Sequence, residues 1–254
     1  MTSENIPSAE VPSRGLAATS WLWPTTLADN LARIAAWDLP VRQAALLFYQ
    51  TAPSLAYTPE DIPPVPGLES HAHLPVDLPW ERGAEAVYAV ISRLMELAGN
   101  LSPWGGVLHP PAEPGQLEGV AALWREAAPG WRLLVENVPG QGLRRHWPVI
   151  EALDMPVCLD VGHMMAFGQN WLPGLPGLWE RVELLHCYAP GTEEGRHSHL
   201  ALDRLTPGQE DELRAVFEAL PAKTPVLFEV FSEEDLRASL EKFYGLHHEW
   251  GTAP

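Results

Sequence analysis

At 254 residues the chain is long enough for one large domain with a substantial core. Its net charge is −17, and its 16 Lys and Arg are scattered, so no basic stripe is available to grip a nucleic-acid backbone. No apolar run reaches membrane-spanning length. Met1 to Pro12 carries acids and prolines in place of the apolar stretch of a signal peptide. A cytoplasmic protein with neither a nucleic-acid nor a membrane partner is the expectation.

Residues 1–13 read as a disordered tail, which leaves 14–254 as a single domain. Gly15 to Trp23 is the first expected strand, and Pro24-Thr25-Thr26 opens a helix with Leu27, Leu31, Ile34 and Ala35 on one face. Val41 to Tyr49 is the second strand, followed by a Pro-rich passage from Thr51 to Gly67 with little room for a full helix. Glu69 to Asp77 is a weaker third strand, and Trp80 to Leu97 is an amphipathic helix.

From there strands and helices alternate regularly. Strands over Trp104 to His109, Trp131 to Val138 and Pro156 to His163 are followed by helices over Gln116 to Ala127, Leu143 to Leu153 and Leu175 to Arg181. Val182 to Tyr188 is the seventh strand, and a long loop separates it from a helix over Pro207 to Leu220. Thr224 to Phe231 and a helix over Glu233 to Tyr244 complete the pattern. Eight strands alternating with helices predict an α/β fold, a closed parallel (β/α)8 TIM barrel. An open doubly wound sheet is the alternative, but no Gly-rich phosphate loop follows the first strand. Cys158 and Cys187 lie in or beside apolar runs and read as buried small hydrophobes, not as a disulfide.

The ends of the strands carry the chemistry. Gly-Val-Leu runs into His109, Leu-Leu-Val into Glu136, Val-Cys-Leu into Asp160, Glu-Leu-Leu into His186 and Val-Leu-Phe into Glu229. Asp and Glu number 33 and His 10, about one position in six, so five such endings by chance are on the order of one in ten thousand. In a barrel these ends converge on one mouth. Carboxylates crowded there repel one another unless cations lie between them, and a carboxylate–imidazole mixture suits Zn²⁺ or Mn²⁺. No nucleophile elbow and no strand-end lysine competes for the role.

His71 and His73 sit on the third strand, where alternation is taken to turn only one of them inward. His73, nearer the strand end, is assigned to the site, and His71 to structure. His163, just past Gly162, and the loop pair His197 and His199 are further candidates. His146, His247 and His248 are expected at the surface. Trp21, Trp23 and Trp80 lie near expected mouth loops and offer an apolar wall for a ligand. Arg196 is placed to meet either a phosphate oxygen or solvent.

The chain resembles the xylose-isomerase-like barrel superfamily, and within it the endonuclease IV branch, from about Gly15 to Tyr244. The likeness rests on Leu-His-Pro at 108–110, Val-Glu-Asn at 135–137, Leu-Asp-Val-Gly-His at 159–163, Leu-Leu-His at 184–186, His-Ser-His at 197–199 and Phe-Glu-Val at 228–230. It implies two or three divalent metals. His73, His109 and Glu136 would hold the first. Glu136 would bridge to the second, shared with Asp160, His186 and Glu229, and His163, His197 and His199 would hold the third. His197 departs from the branch, which places an aspartate there. Thr19-Ser20, His-Leu-Pro-Val-Asp at 73–77, Gly162-His163 and Gly168-Gln169 resemble the cobamide-remodelling phosphodiesterases of the CbiR family. That likeness implies hydrolysis of a small-molecule phosphodiester, the nucleotide loop of a cobamide, with Glu136 and Glu229 as the catalytic carboxylates. A single-metal sugar isomerase or epimerase and a non-catalytic corrinoid or metal carrier are the alternatives.

Overall fold

A computed structural model describes residues 14–140, 143–193 and 196–251; the expected N-terminal tail lies outside the described residues. Strands β1 (Leu16–Thr19), β2 (Gln43–Leu47), β3 (Glu69–His73), β4 (Gly105–Leu108), β5 (Arg132–Glu136), β6 (Val157–Asp160) and β7 (Val182–Cys187) are joined later by β10 (Val226–Phe228). All their pairings are parallel, and β10 pairs with both β7 and β1, so the sheet closes into an eight-stranded barrel. That closure rules out the open doubly wound alternative. Between β7 and β10 lies an antiparallel hairpin, β8 (Ala189–Glu193) with β9 (Arg196–Leu200).

The outer ring is α1 (Leu27–Ala35), α2 (Thr51–Leu55), α3 (Ala84–Leu97), α4 (Pro114–Ala127), α5 (Leu143–Ala152), α6 (Val161–Ala166), α7 (Leu178–Arg181), α8 (Pro207–Ala219) and α9 (Glu233–Trp250). The Pro-rich passage after β2 yields only the five residues of α2, as its composition requires. Helix starts follow local chemistry. Thr206 and Gln209 form a reciprocal capping box at α8 with Pro207 in its first turn, and Ser232 caps α9 by accepting from the Asp235 N–H.

Two apolar clusters result. The larger lies between helices and strands. The smaller is enclosed by the barrel and consists of Ala17, Ala45, Leu47, Val107, Leu134, Cys158, Leu184 and Leu227, with Trp104 against it. Both cysteines are free and buried, as expected.

Four expectations need correction. The sixth strand stops at Asp160, and α6 begins at the next residue, so His163 lies in the first turn of a helix. Gly162 lies in the first turn of that helix. A Cβ on it would overlap Cζ of Tyr188, so its lack of a side chain admits the tyrosine ring. The long loop after β7 is the β8–β9 hairpin. His146 and His247 are buried, and only His248 of the three set aside is exposed. α9 continues past Tyr244 because Leu236, Leu240, Phe243, Leu246 and His247 extend one buried stripe, which Gly251 ends in the left-handed conformation.

Candidate metal centre

The interior of the barrel is layered with the two-residue period of its strands. One layer holds Val107, Leu134, Cys158, Leu184 and Leu227, all fully buried. Two residues further along each chain stand His109, Glu136, Asp160, His186 and Glu229. The same hydrophobic pattern that packs the barrel therefore delivers these five side chains to its C-terminal mouth. On β3, His71 and His73 are in register with Ala45 and Leu47 of β2, two members of the enclosed cluster. Residues two apart share a face, so both histidines point inward. His71 lies one layer below the mouth with its ring 5.5 Å from that of Trp104. Burial, then His186 and His73, push it down to about 3, so it stays neutral.

Glu136 is the hub. Its Oε2 lies 3.3 Å from His73 Nε2 and 3.1 Å from His109 Nε2, while its Oε1 lies 3.3 Å from His186 Nδ1. Glu229 Oε2 approaches His186 Nδ1 at 3.1 Å and His199 Nε2 at 3.7 Å. His73 donates from Nδ1 to the Leu74 carbonyl at 3.0 Å, which turns Nε2 toward the hub. His163 donates from Nδ1 to the Asn137 carbonyl, also at 3.0 Å.

Asp160 is held from behind. Its backbone N–H donates to Asn137 Oδ1 and its carbonyl accepts from Asn137 Nδ2, at 2.7 and 2.8 Å; Gln169 in turn accepts from Asn137 and donates to the Val138 carbonyl. Asp160 Oδ1 caps α6 by accepting from the His163 N–H, so its Oδ2 is left to face the cluster. Asn137 and Gln169 were legible only as motif letters, because what they hold lies more than twenty residues away.

The hairpin supplies the last pair. His197 and His199 are two apart on β9 and stand beside His163, with ring centroids 5.4 and 6.3 Å from it. The Tyr188 hydroxyl lies 2.9 Å from His197 Nε2, and its ring lies 3.9 Å from that of His199, tilted by 36°. Tyr188 was not singled out from the sequence.

Among the described residues, four groups have donor atoms close enough to share an ion: His73, His109 and Glu136; His73, His186 and Glu229; Glu136, Asp160, His186 and Glu229; and His163, His197 and His199. The residues fit a cation on two counts. Glu136 Oε2, Asp160 Oδ2 and both ring nitrogens of His186 are buried with no hydrogen-bond partner among the described residues. Ligands about 2.1 Å from a common ion stand about 3.0 to 3.4 Å apart, the spacing seen around Glu136.

Electrostatics agree. Burial would raise Glu136, but His109 and His186 outweigh it and hold the carboxyl well below its usual range. Burial opposes the shift of Glu229 as well, yet His186, His199 and His73 bring it down to about 2. Asp160 goes the other way: burial, then the charges of Glu136 and Glu229, push it well above its ordinary value. A cation bound among these three carboxylates would favour the ionised form of each. Burial lowers His163 and His199, and with its histidine neighbours takes His197 to about 4, which keeps these rings neutral and able to ligate.

The cluster opens into a cavity of about 380 Å³. Of the tryptophans expected at the mouth, Trp21 lines it. Trp23 instead donates its indole N–H to Glu233 and packs on Trp37, and Trp80 packs against the outer core. Arg196 is exposed and outside the lining. Thr19, Ser20 and Asp77 brace the mouth loops: Thr19 donates to the Val230 carbonyl, and Ser20 and Asp77 accept from the backbone of Leu47 and Thr51.

A parallel barrel with imidazoles and carboxylates at its C-terminal mouth defines the class of protein, and known structures place its fold. The TTHB071 protein from Thermus thermophilus, solved after soaking with ZnCl2, shares it at a TM-score of 0.62 and 23% identity over 93% of this chain and 98% of that one. A xylose isomerase-like TIM barrel protein from Mycobacterium smegmatis in complex with magnesium has a TM-score of 0.59 at 14% identity, covering 92% and 96%. The 3-keto-D-glucoside 4-epimerase YcjR from E. coli has a TM-score of 0.60 at 13% identity, covering 92% and 99%. The chain shares the TIM barrel fold of these proteins. No protein-family model and no curated protein matches its sequence. Among the described residues, no helix is long and apolar enough to cross a membrane.

Proposed function

We propose that the chain is a metal-dependent phosphodiesterase that hydrolyses a small-molecule diester, the nucleotide loop of a cobamide, using two or three Zn²⁺ or Mn²⁺ ions. The observation that carries this reading is the position of Glu136, with one oxygen toward His73 and His109 and the other toward His186. A carboxylate with its two oxygens turned to different imidazoles would be able to serve more than one ion. A one-ion isomerase needs only Glu136, Asp160, His186 and Glu229, and would leave His73, His109, His163, His197 and His199 without work. The choice of a cobamide rests on the motif resemblance at positions 19–20, 73–77, 162–163 and 168–169.

Divalent ions bound in such a cluster acidify a water and neutralise charge on the phosphoryl oxygens. Glu136 sets the spacing of the ligand groups. Glu229 lines the cavity, and we assign it the proton of the attacking water. Asn137 keeps Asp160 aimed inward. No Lys or Arg lines the cavity among the described residues, and with a net charge of −17 this disfavours a nucleic-acid substrate.

Incubation of the protein with a cobamide and Mn²⁺ or Zn²⁺ should release a cobinamide-type corrinoid and the nucleoside portion, and a chelator should stop the release. Absence of product with every cobamide tried overturns the substrate assignment. The second reading, a one-metal sugar epimerase, is favoured by the self-sufficient four-residue group; epimerisation of a ketose by protein holding one ion per chain would establish it.

A further inference from the structure

Six large hydrophobic side chains are exposed among the described residues, and their distribution is uneven. Trp21 (42% exposed), Tyr49 (54%), Val76 (40%) and Phe231 (44%) all line the metal-site cavity. A fifth, Phe167, packs 5.1 Å from the ring of His197, and only Leu55 lies elsewhere. Trp21, Tyr49, Val76 and Phe231 follow β1, β2, β3 and β10, which are consecutive around the barrel, so they form one continuous wall. The Trp21 and Tyr49 rings are 6.1 Å apart and tilted by 60°, and Phe231 meets His199 edge-on at 5.5 Å. Apolar surface gathered at a concave site marks a ligand, whereas isolated exposed hydrophobics do not.

The lining is as informative for what it omits. Outside the histidine and carboxylate cluster, its hydrogen-bonding capacity among the described residues comes from the Tyr49 hydroxyl and the Trp21 indole, with no Ser, Thr, Asn or Gln side chain. A site that selects a sugar must pair the sugar's hydroxyls, and one that selects a polyphosphate needs further cations. This wall offers flat apolar area beside a place for one phosphate. A cavity of about 380 Å³ lies within the range of small-molecule ligand sites.

We infer that Trp21, Tyr49 and Phe231 form a stacking platform for a planar heteroaromatic base carried on one side of the scissile diester. The inference rests on the phosphodiesterase reading and deepens it: the base, rather than sugar hydroxyls or overall charge, sets specificity.

The test is binding to the purified full-length chain in its metal-loaded form, with two probes that contain no diester and so cannot be hydrolysed at one: 5,6-dimethylbenzimidazole riboside, and dicyanocobinamide for the corrin side. Isothermal titration should show that the riboside binds and is weakened about five- to hundredfold by Trp21→Ala, Tyr49→Ala or Phe231→Ala, the range of base–aromatic stacking. Trp21→Phe should restore most of the affinity, and Leu55→Ala, the exposed apolar residue away from the cavity, should bind like wild type. Thermal melts and metal content of each variant separate loss of stacking from loss of fold or ions. Riboside binding that is absent, or unchanged in all three variants, overturns the platform, as does a loss confined to dicyanocobinamide. Because turnover is not read, the two failures separate. Riboside binding that depends on the platform, without cobamide hydrolysis, sinks only the phosphodiesterase reading; hydrolysis with unaffected riboside binding sinks only the platform.

Discussion

The two ends of the barrel hold their charges in opposite ways. At the N-terminal end, Glu69 accepts a hydrogen bond from Gln43 at 2.8 Å, and Glu183 pairs with Arg132 at 2.5 Å. At the C-terminal mouth, three carboxylates face one another and a ring of imidazoles, and the lining contains no Lys or Arg among the described residues. In the first arrangement each carboxylate has a partner within the chain. In the second, donor atoms lie close enough to share a cation, and a barrel of this kind divides stability from function between its ends.

The largest effect should come from breaking the hub. Glu136→Gln removes the charge that two of the four ligand groups share, and metal affinity should fall by more than about 100-fold, beyond what loss of a supporting partner costs. Competition with a chromogenic chelator reads this directly, and unchanged affinity would remove Glu136 from the site. Tyr188→Phe is subtler. It keeps the ring that fills the space at Gly162 and deletes the hydroxyl beside His197 Nε2. Affinity for an ion held by His163, His197 and His199 should fall about 10- to 100-fold while the other groups hold; equal weakening of every site would mean that the hydroxyl does not act on the histidine group alone.

The contrast extends to histidines away from the mouth. His247 packs among Phe217, Phe243 and Trp250, and burial, then Arg14, lower its pKa from 6.5 to about 4. Between those values the unfolded chain binds a proton that the folded chain rejects, so stability declines as pH falls from 6.5 toward 4. Urea midpoints at pH 7 and pH 5 should show a smaller decline in His247→Leu than in wild type. The smallest effect belongs to the N-terminal end: Arg132→Ala should cost no more than about 1 kcal/mol and leave metal content unchanged, because the pair it breaks is solvated.

The mouth was legible because strand hydrophobicity and site chemistry share one period. Leu134 and Glu136, or Leu227 and Glu229, lie on one face, so a reader who finds the buried strand also finds its polar end. The same rule, misapplied to His71 and His73, separated two residues that face the same way. Other features had no such signal. Val161, Met164, Met165 and Ala166 keep the sequence largely apolar beyond Asp160, so a helix start looked like more strand. The β8–β9 hairpin has Pro190 and Gly191 in one arm and lacks an apolar alternation, although the spacing of His197 and His199 already hinted at a shared face. Polar letters at His247, His248 and Glu249 hid the last turns of α9, whose buried stripe runs on through Leu246 and His247. Trp23 and Trp80 were misplaced because sequence position near a strand end does not decide which way an indole turns.

The central claim is that residues from six strands, one helix start and one hairpin clamp divalent ions together. Equilibrium dialysis of the full-length chain against Zn²⁺ or Mn²⁺, followed by elemental analysis of wild type and Glu136→Gln side by side, tests it most directly. More than one ion per wild-type chain and a sharp drop in the variant are predicted. A wild-type chain that retains none, or a variant that retains as many, would contradict it.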